Sequence, residues 1–165
     1  MSAKRIAYLG LLLALAVLFG YVESLIPVNL AIPGIKLGLA NIVIVAVLYI
    51  FTWKEALAVS VLRVVIIGFM FGNLFSIAFG LSGTVLSVIS MALLKHSGHF
   101  GIVGVSAFGG VMHNIGQLAA AALIVEGFPF LWYLPILMLA GLLAGILIGA
   151  VSLPVMKRLP RINDF

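Results

Sequence analysis

The chain has no cysteine and one aspartate, Asp164, among its 165 residues. Without cysteine there are no disulfides, no thiolate metal sites and no cysteine nucleophile. With a single aspartate there is no aspartate-rich magnesium site of the kind that diphosphate chemistry needs. The chain also lacks a Gly-x-x-x-x-Gly-Lys-Ser/Thr phosphate loop, and no serine has a suitable histidine and carboxylate pairing. We therefore expect no catalytic residues, no bound metal and no cofactor, and predict that the chain is not an enzyme.

Charge is scarce along the whole chain. Only 8% of the residues are charged and 65% are hydrophobic, whereas soluble domains are about a quarter charged and about half apolar. The mean hydropathy is +1.38, which predicts an integral membrane protein. The formal net charge is +5, but the basic residues are scattered between apolar runs. No continuous basic face is available for phosphates, so we expect no nucleic acid partner.

The apolar runs predict six transmembrane helices, which we place approximately over residues 6–26, 35–53, 56–72, 74–94, 101–125 and 131–155. At about 20 residues per crossing, these helices and their short connections use almost the entire chain. The expected architecture is therefore a compact all-α bundle, a single transmembrane domain over residues 1–165.

The basic residues are distributed unevenly between the two sets of loops. One side of the predicted bundle receives Lys36 alone, and Arg63 falls inside a helix. The other side receives seven basic residues: Lys4, Arg5, Lys54, Lys95, Lys157, Arg158 and Arg161. By the positive-inside rule the second side is cytoplasmic, so both termini are predicted to lie in the cytoplasm.

Glycines repeat at four-residue spacing in the last predicted helix, at Gly141, Gly145 and Gly149. Small residues at this spacing allow two helix backbones to approach closely in a membrane. The pattern serves either packing within the bundle or a partner protein, and we favour internal packing.

Arg63 is the most informative polar residue. It follows Lys54 by nine residues, which at 1.5 Å per residue is roughly 13 Å along the helix, near the middle of the bilayer. A charge at that depth costs on the order of 3 kcal/mol unless it is compensated. Arg63 therefore either faces a polar cavity that binds an anionic group or forms a structural pair with Glu23 or with backbone carbonyls.

Two further polar clusters are candidates for a binding site. His113, Asn114 and Gln117 lie midway along the fifth predicted helix, and the first and last of these share a face one turn apart. They are interpreted either as ligand contacts or as hydrogen-bonded packing residues. The second cluster belongs to the predicted outer mouth and contains Glu23, Asn29, Lys36 and Asn41. There Glu23 and Lys36 either bind a solute or lie close enough to water to be solvated or paired.

Several strings in the sequence resemble one small membrane family. They are Glu-Ser-Leu-Ile-Pro from Glu23, Pro-Gly-Ile-Lys-Leu-Gly-Leu-Ala-Asn from Pro33, Arg63 itself, and Gly-Val-Met-His-Asn-Ile-Gly-Gln from Gly110. Together they resemble the Gx transporter family, whose members carry the name component I of heptaprenyl diphosphate synthase. That family is similar to the substrate-binding S-components of energy-coupling-factor transporters.

The resemblance implies a bacterial cell-membrane protein that takes up a small solute together with separate coupling and ATPase subunits. Ala3 and Ala7 form an Ala-x-x-x-Ala step like the one with which such proteins contact the coupling subunit. We expect an anionic or polar ligand, bound from the outer face by the eight polar residues named above. The alternative is a non-catalytic accessory protein that binds an isoprenoid diphosphate or a quinone for a membrane enzyme or an electron-transfer assembly.

Overall fold

The computed structural model describes residues 2–25, 38–124, 132 and 134–158. These residues form six α-helices in the order expected from the apolar runs. Their bounds are α1 Ala3–Leu25, α2 Leu39–Ile50, α3 Trp53–Phe71, α4 Leu74–Ser97, α5 Ile102–Ile124 and α6 Leu134–Met156. Four of them, α1, α4, α5 and α6, are long and apolar enough to cross a membrane. The fold is that of a helical membrane bundle.

The second helix is shorter than the sequence indicated. The apolar run suggested residues 35–53, but α2 has 12 residues, Leu39–Ile50, a length of about 18 Å. It begins after Gly38, which has a φ of 74°, a left-handed conformation that favours glycine. It ends at Ile50 because Thr52 already caps the next helix. Residues 35–37 of the predicted span lie outside the described residues.

Short polar motifs set the starts of two helices. At the start of α3, the Thr52 side chain accepts a hydrogen bond from the Glu55 backbone N–H, and the Glu55 carboxylate accepts one from the Thr52 N–H. This capping box satisfies two backbone donors that have no partner within the helix. At the start of α4, Asn73 Oδ1 accepts a hydrogen bond from the backbone N–H of Ser76 at 2.8 Å.

The helices form a closed ring in the order α1, α3, α4, α5, α6 and α2, and α2 also contacts α3. The short helix α2 is the most buried of the six. It contributes six consecutive buried residues, numbers 43–48, to the apolar core. Its neighbours α1, α3 and α6 bury most of α2. On its own, α2 is too short to cross the roughly 30 Å hydrocarbon layer.

The glycine stripe of α6 packs against α5, as internal packing predicts. A Cβ atom on Gly141 would lie 2.5 Å from the carbonyl oxygen of Gly110, and one on Gly145 would lie 2.5 Å from that of Ser106. One turn further, a Cβ on Gly149 would lie 2.6 Å from Val103 Cα. Because every such atom would overlap backbone, only glycine allows this separation of the two helices.

One end of the ring, which we call the basic end, is held by basic side chains of α1 and α4. Arg5 makes a two-pronged ion pair with Glu55, with Nε–Oε1 and Nη2–Oε2 distances of 2.7 Å. Lys95 Nζ donates a hydrogen bond to the carbonyl oxygen of Leu48 at 2.6 Å and lies 4.9 Å from the centre of the Tyr49 ring. These contacts connect α1 to α3 and α4 to α2.

Candidate functional site

A cavity of about 360 Å³ lies towards the other end of the bundle, and side chains of all six helices line it. It is bounded by the C-terminal parts of α1 and α3, the N-terminal parts of α2 and α4, and the middles of α5 and α6. Six of the eight predicted site residues line it: Glu23, Asn41, Arg63, His113, Asn114 and Gln117. The other two, Asn29 and Lys36, lie outside the described residues.

The guanidinium of Arg63 lacks a full set of partners. Its Nε atom is buried and makes no hydrogen bond to any described residue. Glu23 is near enough to interact with it electrostatically, but among the described residues the two form no ion pair within 4.0 Å. A buried guanidinium donor without an acceptor is costly, so this atom is available to an acceptor that enters the cavity.

Glu23 connects α1 to the start of α2. Its Oε1 atom accepts a hydrogen bond from the backbone N–H of Gly38, the residue that precedes α2. A carboxylate is stabilised by the positive end of a helix dipole. Each of its two oxygens has two acceptor positions, so this bond leaves Glu23 with further capacity to accept hydrogen bonds.

The three polar residues of α5 face the cavity but differ in their surroundings. Asn114 is buried, and its Nδ2 atom donates to the carbonyl oxygen of Leu137 at 2.6 Å, which ties α5 to α6. His113 and Gln117 pack over Gly83 of α4, where a Cβ atom would lie 3.1 Å from His113 Cε1 and 2.8 Å from Gln117 Cγ. Gly83 therefore provides the space that these two side chains occupy.

The cavity wall on the side of α6 consists mostly of small residues, which no polar pattern in the sequence marks. Ala140, Gly141, Ala144 and Gly145 line it together with Ile148. The sequence marks part of this wall by the glycine stripe, whose spacing indicates packing within the bundle or against a partner protein. The structure shows that Gly141 and Gly145 do both, because they contact α5 and also border the cavity.

No metal centre is formed by the described residues. Among them, no group of three or more His, Asp, Glu or Cys side chains is close enough to hold a metal ion. His96 and His99, which lie near the end of α4, are exposed.

Comparison with known proteins identifies the family. The family model described as heptaprenyl diphosphate synthase component I matches residues 12–154, so the chain belongs to that family. The matched region contains all eight predicted site residues. No curated protein and no solved structure gives a match.

Proposed function

We propose that this member of the heptaprenyl diphosphate synthase component I family is a substrate-binding membrane subunit of the energy-coupling-factor type. The observation that carries the proposal is the buried Nε atom of Arg63, which borders a ligand-sized cavity and has no acceptor among the described residues. An arginine that served only structure would be satisfied by a carboxylate or by carbonyls. The proposed binding set is the eight polar residues predicted from the sequence, including Asn29 and Lys36.

In the proposed topology the chain passes through the membrane six times, with the short α2 held among its neighbours, and both termini lie in the cytoplasm of a bacterial cell. The uneven distribution of basic residues supports this orientation. With the basic end inside, the cavity lies towards the outer face, where a solute can enter from outside the cell.

Transport then requires other subunits. The chain has no phosphate loop for ATP, so the proposed uptake depends on a separate ATPase and a coupling subunit. Ala3 and Ala7, at the start of α1, are exposed. Their small side chains offer a surface for close helix packing with such a subunit.

A second candidate function follows from the family description. In this alternative the chain is a non-catalytic helper that binds an isoprenoid diphosphate or a quinone, and the cavity opens to lipid or to the cytoplasm. The size of the cavity argues against it, because about 360 Å³ is at the small end of ligand pockets. A chain of seven isoprene units would have to lie largely outside.

The absence of cysteine makes a labelling experiment direct. Ser24 borders the cavity, and Ser97 is exposed near the basic end, so Ser24→Cys and Ser97→Cys form a matched pair. In intact cells, a membrane-impermeant thiol reagent should label Ser24→Cys and spare Ser97→Cys, and opened membranes should allow both to react. Labelling of Ser97→Cys alone from outside would reverse the orientation and refute uptake through this cavity.

Ligand-induced stabilisation separates the two candidate functions. Farnesyl diphosphate should leave the melting temperature of the purified protein unchanged if the cavity holds a small polar solute. The helper function instead predicts a melting-temperature shift that grows with ligand concentration, because binding raises the free energy of unfolding by RT ln(1 + [L]/Kd).

A further inference from the structure

We propose that the solute bound in this cavity is a small zwitterion, with its anionic group at Arg63 and its cationic group at Glu23. The inference rests on the proposed substrate-binding function and deepens it by naming the ligand class. It starts from the juxtaposition of two opposite charges that border the same cavity without forming a pair.

Arg63 determines the first half of the ligand. Its buried Nε atom lacks an acceptor among the described residues, and the guanidinium presents five donors in a planar fork that matches a carboxylate. The cavity therefore selects an anionic group at this position.

Glu23 determines the second half. It borders the same cavity and uses one oxygen to accept the Gly38 N–H, which leaves acceptor positions unused. A ligand that carried only negative charge would be repelled by Glu23, and one that carried only positive charge would be repelled by Arg63. A zwitterion meets each of these two residues with the opposite charge.

The rest of the cavity limits the size and shape of the solute. Arg63 and Glu23 are more than 4.0 Å apart but interact electrostatically, which suits a ligand whose charges are separated by a few bonds. Asn41 and Gln117 provide amide groups, and the wall formed by Ala140, Gly141 and Ala144 is smooth and apolar. An α-amino acid with an apolar side chain has these features.

The test compares L-phenylalanine with two analogues that each lack one charge, 3-phenylpropanoate and phenethylamine. Each probe is titrated up to 10 mM at matched ionic strength, and the melting temperature of the purified full chain is measured in detergent at each concentration. L-leucine with 4-methylpentanoate and isopentylamine forms a second series. At least one amino acid should raise the melting temperature, with a Kd at least tenfold lower than those of both analogues.

Variants assign the two charges. Arg63→Gln should abolish the shift with the amino acid. Glu23→Gln should weaken the amino acid and strengthen the anionic analogue, because the repelling carboxylate has been removed. Lys95→Gln is the matched control, since it removes one cation from the basic end, and its ligand-induced shift should equal that of the parent.

The contrary outcomes are distinct. An anionic analogue, or pyrophosphate, that shifts the parent more than the amino acids do would overturn the zwitterion and leave a binding subunit for anions. No shift with either amino acid would also overturn it. If Ser24→Cys is still labelled from outside in that case, the outward cavity stands and only the ligand class is wrong. If Ser24→Cys is protected from the reagent in intact cells, the proposed function itself fails.

Discussion

Two arginines in this bundle have opposite surroundings. Arg5, at the basic end, is paired through two nitrogens with both oxygens of Glu55, and its guanidinium also lies 5.6 Å from the centre of the Phe51 ring. Arg63 borders the cavity, and its Nε atom has no partner among the described residues. The two residues carry the same side chain, but among the described residues only Arg5 has a carboxylate bound to its guanidinium.

The difference separates stability from binding. At the basic end, the Arg5–Glu55 pair and the Lys95–Leu48 contact join helices that follow different parts of the chain. At the cavity, the Nε atom of Arg63 has no acceptor among the described residues, and we propose that a ligand supplies one. Substitutions at the basic end should therefore lower stability and spare binding, and substitutions of cavity charges should have the reverse effect.

The largest expected effect comes from Gly141, one of the residues that both pack the helices and border the cavity. Gly141→Leu would force side-chain atoms into the backbone of Gly110 and the amide of Asn114. We expect a loss of about 3 kcal/mol or more, typical of severe overpacking, with little folded protein after detergent extraction. Gly10→Leu is the control, since a Cβ atom there meets nothing within 4 Å. Equal yields for the two variants would show that α5 and α6 do not need the close approach.

Arg63→Met is the sharpest test of the comparison. The substitution keeps an unbranched side chain and removes a charged group whose Nε atom is buried without an acceptor among the described residues, and a charge in a membrane helix costs on the order of 3 kcal/mol. We expect the melting temperature in the absence of ligand to be unchanged or higher, whereas Arg5→Met should lower it. Thermal unfolding of both variants, measured by circular dichroism in the same detergent, checks the contrast. A strongly destabilised Arg63→Met would mean that Arg63 is a structural residue.

The hydropathy pattern was sufficient for the coarse fold. The apolar runs gave the six helices because lipid requires long apolar segments whose backbone groups are satisfied internally. They overestimated α2, because an apolar run does not distinguish a buried short helix from a spanning one. Its end depends on Thr52, a capping residue, and its start depends on Gly38, a backbone conformation.

The polar residues of the cavity were predictable one by one, and their partners were not. Arg63 and His113 stand out because a polar group in an apolar helix is costly. The bond between Glu23 and Gly38, and that between Asn114 and Leu137, involve backbone groups that every residue carries. No sequence pattern marks which carbonyl or N–H will be used, so these contacts required the structure. Whether the eight residues bind a solute stays a prediction.

Glu55→Ala should have a smaller effect, in the direction opposite to that of Arg63→Met. The variant loses both the capping box at the start of α3 and the partner of Arg5. Loss of the cap alone costs about 1 kcal/mol, and Arg5 is left without its carboxylate. Glu55→Gln separates the two contributions, because glutamine also accepts from the Thr52 N–H but carries no charge. If Glu55→Gln were as unstable as Glu55→Ala, the ion pair would be the dominant contribution.

The smallest expected effect is that of Lys95→Met. The last carbonyl oxygens of α2 have no acceptor role within the helix, and Lys95 Nζ satisfies that of Leu48 at 2.6 Å. A cation at this position also complements the negative end of the helix dipole. Methionine keeps the apolar stem and removes the charge, so we expect a loss of about 1 kcal/mol. Lys95→Arg, which keeps the charge and the donors, should recover most of the lost stability.

Thermal unfolding without ligand measures the loss. A probe that binds at the cavity should shift the melting temperatures of the variant and the parent equally, because Lys95 belongs to the basic end. A Lys95→Met variant as stable as the parent would show that the Lys95–Leu48 contact adds no stability to the basic end. The contrast between a stabilising basic end and a binding cavity would then rest on Arg5 and Glu55 alone.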